Sequence, residues 1–343
     1  MTALQITRAD GILTVQDMGR PGHLAQGLSR GGAMDRRALL EGAALLNTKS
    51  PLAAIEMAGA GGEFSVTAPT RIALTGAPMA ATLDDAPLRW NASHLVTPGQ
   101  RLRIGGAQSG TYSYLTPAGG IATEPWLGSR AAHLSIGIGG ALRAGDTLPV
   151  GDDPEPDRPS HGLPPEPRFD GGTIRVIDGP HTVLFSDAVL DAFYATAFRR
   201  GPRGNRQGLQ LVAEARFGTE HAKGLASDMI GPGDVQMTGD GVPYVLMAEC
   251  QTVGGYPRIG TVIPADLPRV AQAAPGAVLR PRRVTLDEAL ATARSEADEL
   301  RDLSGRCTPL VRDPAAIRDL LSYQLVSGMV RGDEFDATWP HST

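Results

Sequence analysis

The sequence predicts a mainly β protein with a few helices, its strands wound into barrels or sandwiches. Two observations carry this expectation. Short apolar runs, each bracketed by turn residues, follow one another at close spacing through most of the chain. Glycine and proline, 43 and 27 of 343 residues, make up about a fifth of it, which suits a turn-rich β protein and stops short of low complexity. The length is comfortable for two domains.

Leu4 to Gln16 alternates loosely and predicts two short strands around an Asp10-Gly11 turn. A glycine-rich stretch follows, from Gly19 to Gly32. Asp35 to Asn47 then carries Leu39, Leu40, Ala43, Ala44 and Leu46 at helical spacing, with Asp35 suited to cap the helix. From Leu52 to Val150 the signals are strands, among them Glu63–Val66, Arg71–Leu74, Arg101–Ile104 and Thr111–Leu115. Residues 151–170 hold six prolines among alternating charges, which predicts a linker or long surface loop.

The second half opens with a strand, Thr173–Ile177, and a short helix from Ala188 to Phe198 capped by Ser186 or Asp187. Strand signals recur at Leu209–Val212, Asp234–Met237 and Tyr244–Ala248. Thr285-Leu286-Asp287-Glu288 is a capping box, opening a helix expected to reach about Leu303. A last helix is expected over about 314–326, with a proline in its first turn. The organisation expected is 1–150, a linker at 151–170, 171–285, and a helical tail at 286–343. A faint echo links Gly99-Gln100-Arg101-Leu102 to Gly276-Ala277-Val278-Leu279, each after proline, and hints at a duplicated barrel.

The formal charge of −5 lacks the clustered basic surface that duplex binding needs, so no nucleic-acid partner is expected. No apolar run approaches the roughly 18–20 residues of a membrane span, so no membrane association is expected. Cys250 and Cys307 form no CxxC pair. The seven histidines show no HxH or HExxH spacing, and no metal site is expected. The start of the chain carries no apolar leader pattern, and the cytoplasm is the expected compartment. Of the 32 basic residues only Lys49 and Lys223 are lysines. The bias fits genomic base composition and also suits planar recognition of carboxylate or phosphate. Walker-type phosphate loops and GxSxG elbows are absent.

Three places set polar residues among glycines. In Thr14 to Gly22, Asp17 can accept backbone N–H groups in a turn, or Gln16 and Arg20 can line a pocket rim. In Leu127-Gly128-Ser129-Arg130, the arginine can sit in a surface pair or point into a cleft. In Glu249 to Gly260, an apolar strand delivers Glu249, Cys250, Gln251 and Thr252 to a Gly-Gly-Tyr-Pro turn, where glycines permit close approach to a ligand. Cys250 reads first as a small buried hydrophobe.

These segments resemble the carboxyltransferase-type, allophanate-hydrolase-subunit-2-like family, which includes the C-type subunit of bacterial 5-oxoprolinase and part of urea carboxylase. The resemblance rests on the TVQDxGRxG motif at Thr14–Gly22, Gly32-Ala33-Met34-Asp35, Ala54-Ile55-Glu56 and Leu74-Thr75-Gly76. It continues through Gly119, Leu127 and the run from Gln251 to Val262. The family's Ser-Asp-Arg-Met-Gly stands here as Gly204-Asn205-Arg206-Gln207-Gly208, with Arg206 and Gly208 kept and the acid replaced.

The resemblance implies two cyclophilin-like β-barrel domains and a subunit of an ATP-dependent 5-oxoprolinase-like amidohydrolase. Its implied partners are a subunit-1-type protein and a lactam-utilisation-type subunit, with ATP and magnesium used at the level of the complex. Two alternatives remain: a carboxyltransferase component of a biotin-dependent urea carboxylase-like system, and a non-catalytic regulatory partner. Neither lysine is flanked by methionine on both sides, so biotin is not expected on this chain. On this reading Arg20, Arg130, Arg206 and Arg258 neutralise phosphate or substrate carboxylate, and Gln16, Gln251 and Tyr256 border the substrate. Asp17, Glu249 and Gln251 are the candidates for chemistry.

Overall fold

The computed structural model describes residues 2–219 and 224–311. The first half folds into two antiparallel sheets. The six-stranded sheet runs Thr147–Pro149, Ala3–Ala9, Ala60–Val66, Leu102–Ala107, Met79–Leu83, Ala86–Leu88. The seven-stranded sheet runs Ile12–Gln16, Ala54–Ala58, Tyr112–Pro117, Thr70–Gly76, Ala92–Val96, His161–Gly162, Thr308–Pro309. One core lies between them, with Leu4, Ile6, Leu13, Ile55, Phe64 and Leu115 at its centre.

Strand alternation decides what each face of the seven-stranded sheet carries. Leu13, Val15, Ile55, Met57 and Leu115 point into that core. Their neighbours Thr14, Gln16, Ala54, Glu56, Tyr112 and Tyr114 therefore point the other way, toward the second half. The register sets Thr14 and Tyr114 on either side of Glu56.

The second half closes into a seven-stranded barrel. Its order is Gly171–Ile177, Arg258–Val262, Asp234–Met237, Pro243–Leu246, Gly208–Val212, Phe198–Gly204, Val278–Arg283. The last strand returns to the first in parallel. Phe193, Phe198 and Phe217 pack in the barrel core with centroids 5.2–5.7 Å apart. Gly99 and Gly276, the paired glycines of the echo, both adopt positive φ (88° and 91°) just before a strand.

Five α-helices are described: α1 Arg36–Leu46, α2 Asp187–Ala195, α3 Leu267–Gln272, α4 Leu286–Ala291 and α5 Glu296–Gly305. Asp35 caps α1 by accepting from the Ala38 N–H, and Ser186 caps α2. Every residue of α1 from Ala38 to Leu46 is buried. The reason is position. Ala38 and Leu39 join the core shared with the barrel, while Leu40, Ala43, Leu45 and Leu46 join a cluster with Leu300 and Leu303 of α5. A helix covered on two sides needs apolar residues nearly all round, and this one has them.

The helix expected from Leu286 to Leu303 is broken. Thr285 makes its capping box, but Thr292 ends α4 and Ser295 caps a new helix. The second N-cap offers the backbone an alternative partner, which favours a restart over a continuous helix. The helix expected over 314–326 lies outside the described residues.

Residues 151–170 are a strap held against the body. Leu163 is 1% exposed, and Arg168 is buried against α1. Glu166 receives both ends of the Arg37 guanidinium, at 2.6 and 2.7 Å, and a third bond from Arg306 at 2.6 Å. Burial raises the Glu166 carboxyl, but the hydrogen bonds and charges of Arg37 and Arg306 outweigh it and bring it down to about 2. Because the folded value lies below the unfolded one, Glu166 stabilises the fold above its ordinary value of 4.5. That contribution is lost as pH falls toward 2. Glu166→Gln is therefore expected to lower stability at neutral pH, with the difference from wild type closing between about pH 4.5 and pH 2. Urea denaturation across that range measures it, and a constant difference at every pH contradicts it.

Among the described residues no helix is long and apolar enough to cross a membrane.

Candidate functional site

The face of the seven-stranded sheet that carries Glu56 meets the barrel, and a continuous chain of buried polar groups runs through the seam. Arg206, 8% exposed, donates to both Glu56 and Glu249, and to the Gly32 carbonyl at 2.5 Å. Glu56 also accepts from Tyr114 Oη at 2.6 Å and from the Met34 N–H at 2.8 Å. Tyr114 Oη in turn accepts from the Asp35 N–H. Asp35 accepts from Arg168 and from Gln272 of α3, and Arg168 is held bidentate by Glu41 at 2.7 and 2.8 Å. At the other end, Glu249 accepts from the Ser135 N–H, and His133 sits between Ser29 and Ser135 at 2.8 and 3.0 Å.

The electrostatics follow from this closure. Burial would lower the pKa of Arg206, but the charges of Glu56 and Glu249 more than offset it and keep the guanidinium protonated. Arg168 is raised in the same way by Asp35 and Glu41. Burial and the Glu56 charge push Tyr114 well above its ordinary value, so it stays a neutral donor. Burial is also the largest influence on His133, with Arg20 and Arg206 acting the same way against Glu249, and it lowers the imidazole. A neutral ring has one donor and one acceptor nitrogen, which suits its two serine partners.

The glycine-rich run makes room for this seam. Gly32 holds φ +84°, and a Cβ there would stand 2.6 Å from the Gly19 nitrogen and 2.8 Å from the Asp17 carbonyl. Its own carbonyl receives Arg206. Gly32→Ala is expected to cost about 3 kcal/mol or more, from combined clash and backbone strain. A wild-type urea midpoint for this variant contradicts that expectation.

The structure places the sequence-chosen residues as follows. Asp17 accepts from the Gly19 N–H, the Ser129 hydroxyl and the Arg130 N–H, and so holds two loops together. Arg20 is 1% exposed and donates to the Ala131 and Trp126 carbonyls, anchoring that loop, while its Nη1 is buried without a partner. Gln16 is fully buried and donates to Thr14 and the Ala132 carbonyl. Arg130 is exposed and bonds the Thr123 carbonyl. Arg206 is closed between two carboxylates, and Arg258 is buried against Asp228 and Asp234. Among the described residues the buried arginines meet the protein's own carboxylates and carbonyls, because an unpaired buried charge is far costlier than a paired one.

Gln251 and Tyr256 stand apart from the seam. They border a cleft of ≈ 380 Å3 on the barrel, together with Arg203, Asn205, Gln207 and Gln236. Cys250 lines its floor, buried, with its thiol pushed up to about 12 by burial. Asn205, which stands where the family has an acid, accepts from the Gln207 and Gly208 N–H groups at 2.8 and 3.3 Å. An asparagine oxygen makes that turn as an aspartate would, without bringing a charge into the cleft. Glu249 connects the two regions: it lies one residue from Cys250 and bonds Arg206 of the same Asn205 turn.

Sequence reasoning missed His133, Ser29, Tyr114, Arg168, Arg203 and Gln236 as site residues. The available signal for Gln236 was a lone amide inside the apolar strand Asp234–Met237. The same kind of signal stood at Glu56 in Ala54–Ala58.

Comparison with known proteins agrees with this architecture. Residues 26–282 match the family model described as carboxyltransferase domain, subdomain A and B. The chain is 35% identical over 310 residues to the C-type subunit of 5-oxoprolinase from Escherichia coli (strain K12), covering 88% of this chain and 98% of that protein. It is 27% identical to a putative urea carboxylase of Emericella nidulans, covering 94% of this chain but only 27% of that protein. The crystal structure of K. lactis urea amidolyase shares the fold, with TM-score 0.78 and 23% identity over 91% of this chain and 21% of that one. A match over three quarters of the chain, and a relative matched almost end to end, show that this chain belongs to the carboxyltransferase-domain family that includes the C-type subunit of 5-oxoprolinase.

Proposed function

We propose that the chain is one subunit of an ATP-dependent 5-oxoprolinase-like amidohydrolase, opening 5-oxoproline to glutamate. On this reading it is inactive alone and is completed by a subunit-1-type partner and a lactam-utilisation-type subunit, in the cytoplasm. The observation that carries the reading is the end-to-end similarity to a C-type subunit of 5-oxoprolinase, 98% of whose length is covered. A shared module inside a larger enzyme would give the partial coverage found with urea carboxylase instead.

The cleft supports the reading chemically. Its lining holds several carboxamides and one arginine but no carboxylate, although the whole chain is net negative. Such a surface accepts an anionic ligand and can orient an amide through paired donors and acceptors. Glu249 is the carboxylate nearest to it in sequence, and in this reading it acts through Arg206 as a positioning residue.

ATP would activate the amide carbonyl. Among the described residues no group of three or more His, Cys, Asp or Glu could hold a metal ion, and the chain has no Walker-type loop. The reading places magnesium–ATP at the level of the complex.

The test is co-expression with both partner types. ATP hydrolysis that depends on 5-oxoproline, absent from the isolated chain and present in the complex, is the expected result. Turnover by the isolated chain contradicts the partner requirement. A biotin-dependent carboxyl transfer remains the second reading, favoured by the 27% identity to a putative urea carboxylase over 94% of this chain. Bicarbonate-dependent consumption of ATP with a biotin carboxylase, and none with 5-oxoproline, would select it.

A further inference from the structure

Gln236 is held in an unusual state. It is 8% exposed, it lines the cleft, and its Nε2 has no hydrogen-bond partner. Its strand neighbours Val235 and Met237 point into the barrel core, so alternation turns Gln236 outward to the cleft side. The pairing with Arg258–Val262 shifts register between Val235 and Gln236, where Ile259 is the extra residue of a bulge on the partner strand. A Cβ at Gly254 would stand 2.7 Å from Nε2, so the glycine makes room for the amide. A buried amide nitrogen without a partner is costly, and an apolar residue of the same size would avoid the cost.

The rest of the cleft says what a turned Gln236 amide would meet. Gln251 and Asn205 add further amide groups, and the Tyr244 and Tyr256 rings offer flat apolar walls. Arg203 lines the same cleft, and its charge also acts on the exposed carboxylate of Asp240, which accepts from the cleft residue Thr238. The volume suits a molecule of metabolite size.

We propose that this cleft is a recognition site for a small amide bearing a carboxylate, in which the Gln236 carboxamide, turned about its last torsion, pairs with the amide edge and Arg203 holds the carboxylate. The proposal deepens the function proposed above and rests on it for the choice of 5-oxoproline. A carboxamide presents a donor and an acceptor side by side, which matches the C=O and N–H edge of a lactam. The guanidinium fork matches a carboxylate. Neither group was apparent as a site residue from sequence motifs.

The test is ligand binding by the full chain, and by the co-expressed complex, measured by calorimetry or ligand-observed NMR. The probes are 5-oxoproline and 2-pyrrolidinone, which is the same ring without the carboxylate. Gln236→Met is expected to weaken both ligands about ten-fold through loss of the amide bond. Arg203→Ala is expected to weaken 5-oxoproline about ten-fold and leave 2-pyrrolidinone unchanged. The thermal midpoint of Gln236→Met should equal or exceed that of wild type, which separates lost recognition from lost folding. Wild-type binding by both variants, or no binding of 5-oxoproline to either the chain or the complex, overturns the proposal. Turnover in the complex that ignores Gln236 and Arg203 overturns the site and leaves the function standing. Binding that depends on both residues, without ATP-coupled turnover, keeps the site and overturns the function.

Discussion

Arg206→Ala is expected to lose about 3–5 kcal/mol of folding stability. The variant leaves Glu56 and Glu249 buried and facing one another without their shared cation, and it leaves the Gly32 carbonyl without its partner. The cost comes from the charges left behind more than from the bonds lost. It follows that Arg206→Met combined with Glu249→Gln should be more stable than Arg206→Ala alone, because one stranded charge is gone. Urea denaturation of the three proteins decides this. Near-wild-type stability for Arg206→Ala contradicts the account of the seam.

Arg168→Ala is expected to cost a similar amount, about 3–5 kcal/mol, for the same reason at the other end of the chain of polar groups. Arg168 answers Asp35 and Glu41 together, and burial already raises the Glu41 carboxyl against the pull of Arg168. The substitution has a local consequence as well. Arg168 is a buried anchor of the 151–170 strap, so its loss should expose that strap to limited proteolysis before the body unfolds. Unchanged cleavage and an unchanged midpoint contradict this. The two arginine sites are linked through Asp35, Tyr114 and Glu56. The double variant should therefore depart from additivity by more than about 0.5 kcal/mol.

The mainly β architecture was legible because turn chemistry is local. Glycine and proline mark where a strand must end, and the helix at 36–46 announced itself by spacing and by the Asp35 cap. What was not legible depends on contacts far apart in sequence. Six prolines predicted a linker or long surface loop at 151–170, but gave no sign that its charges match arginines on α1 and on the segment after α5. The split between α4 and α5 turned on a second serine cap that periodicity alone did not weigh.

The site was half legible for a related reason. Two of the glycine-rich stretches lie at the seam, where Glu249 and Arg206 meet. Their chemistry was harder to read. An arginine beside glycines suggests an anion from outside, but Arg206 finds its carboxylates inside the fold, at Glu56 and Glu249. Conversely, the cleft residues Arg203 and Gln236 belong to no motif. Gln236 becomes informative only when strand direction and an unsatisfied nitrogen are both known.

The most direct test of the central claim is product stoichiometry in the purified complex of this chain with its subunit-1-type and lactam-utilisation-type partners. Glutamate and ADP are quantified together with 5-oxoproline supplied and withheld. The account predicts that the two products rise in step, and that both disappear when this chain is omitted. ADP formed without glutamate, or glutamate formed equally well without this chain, would contradict it.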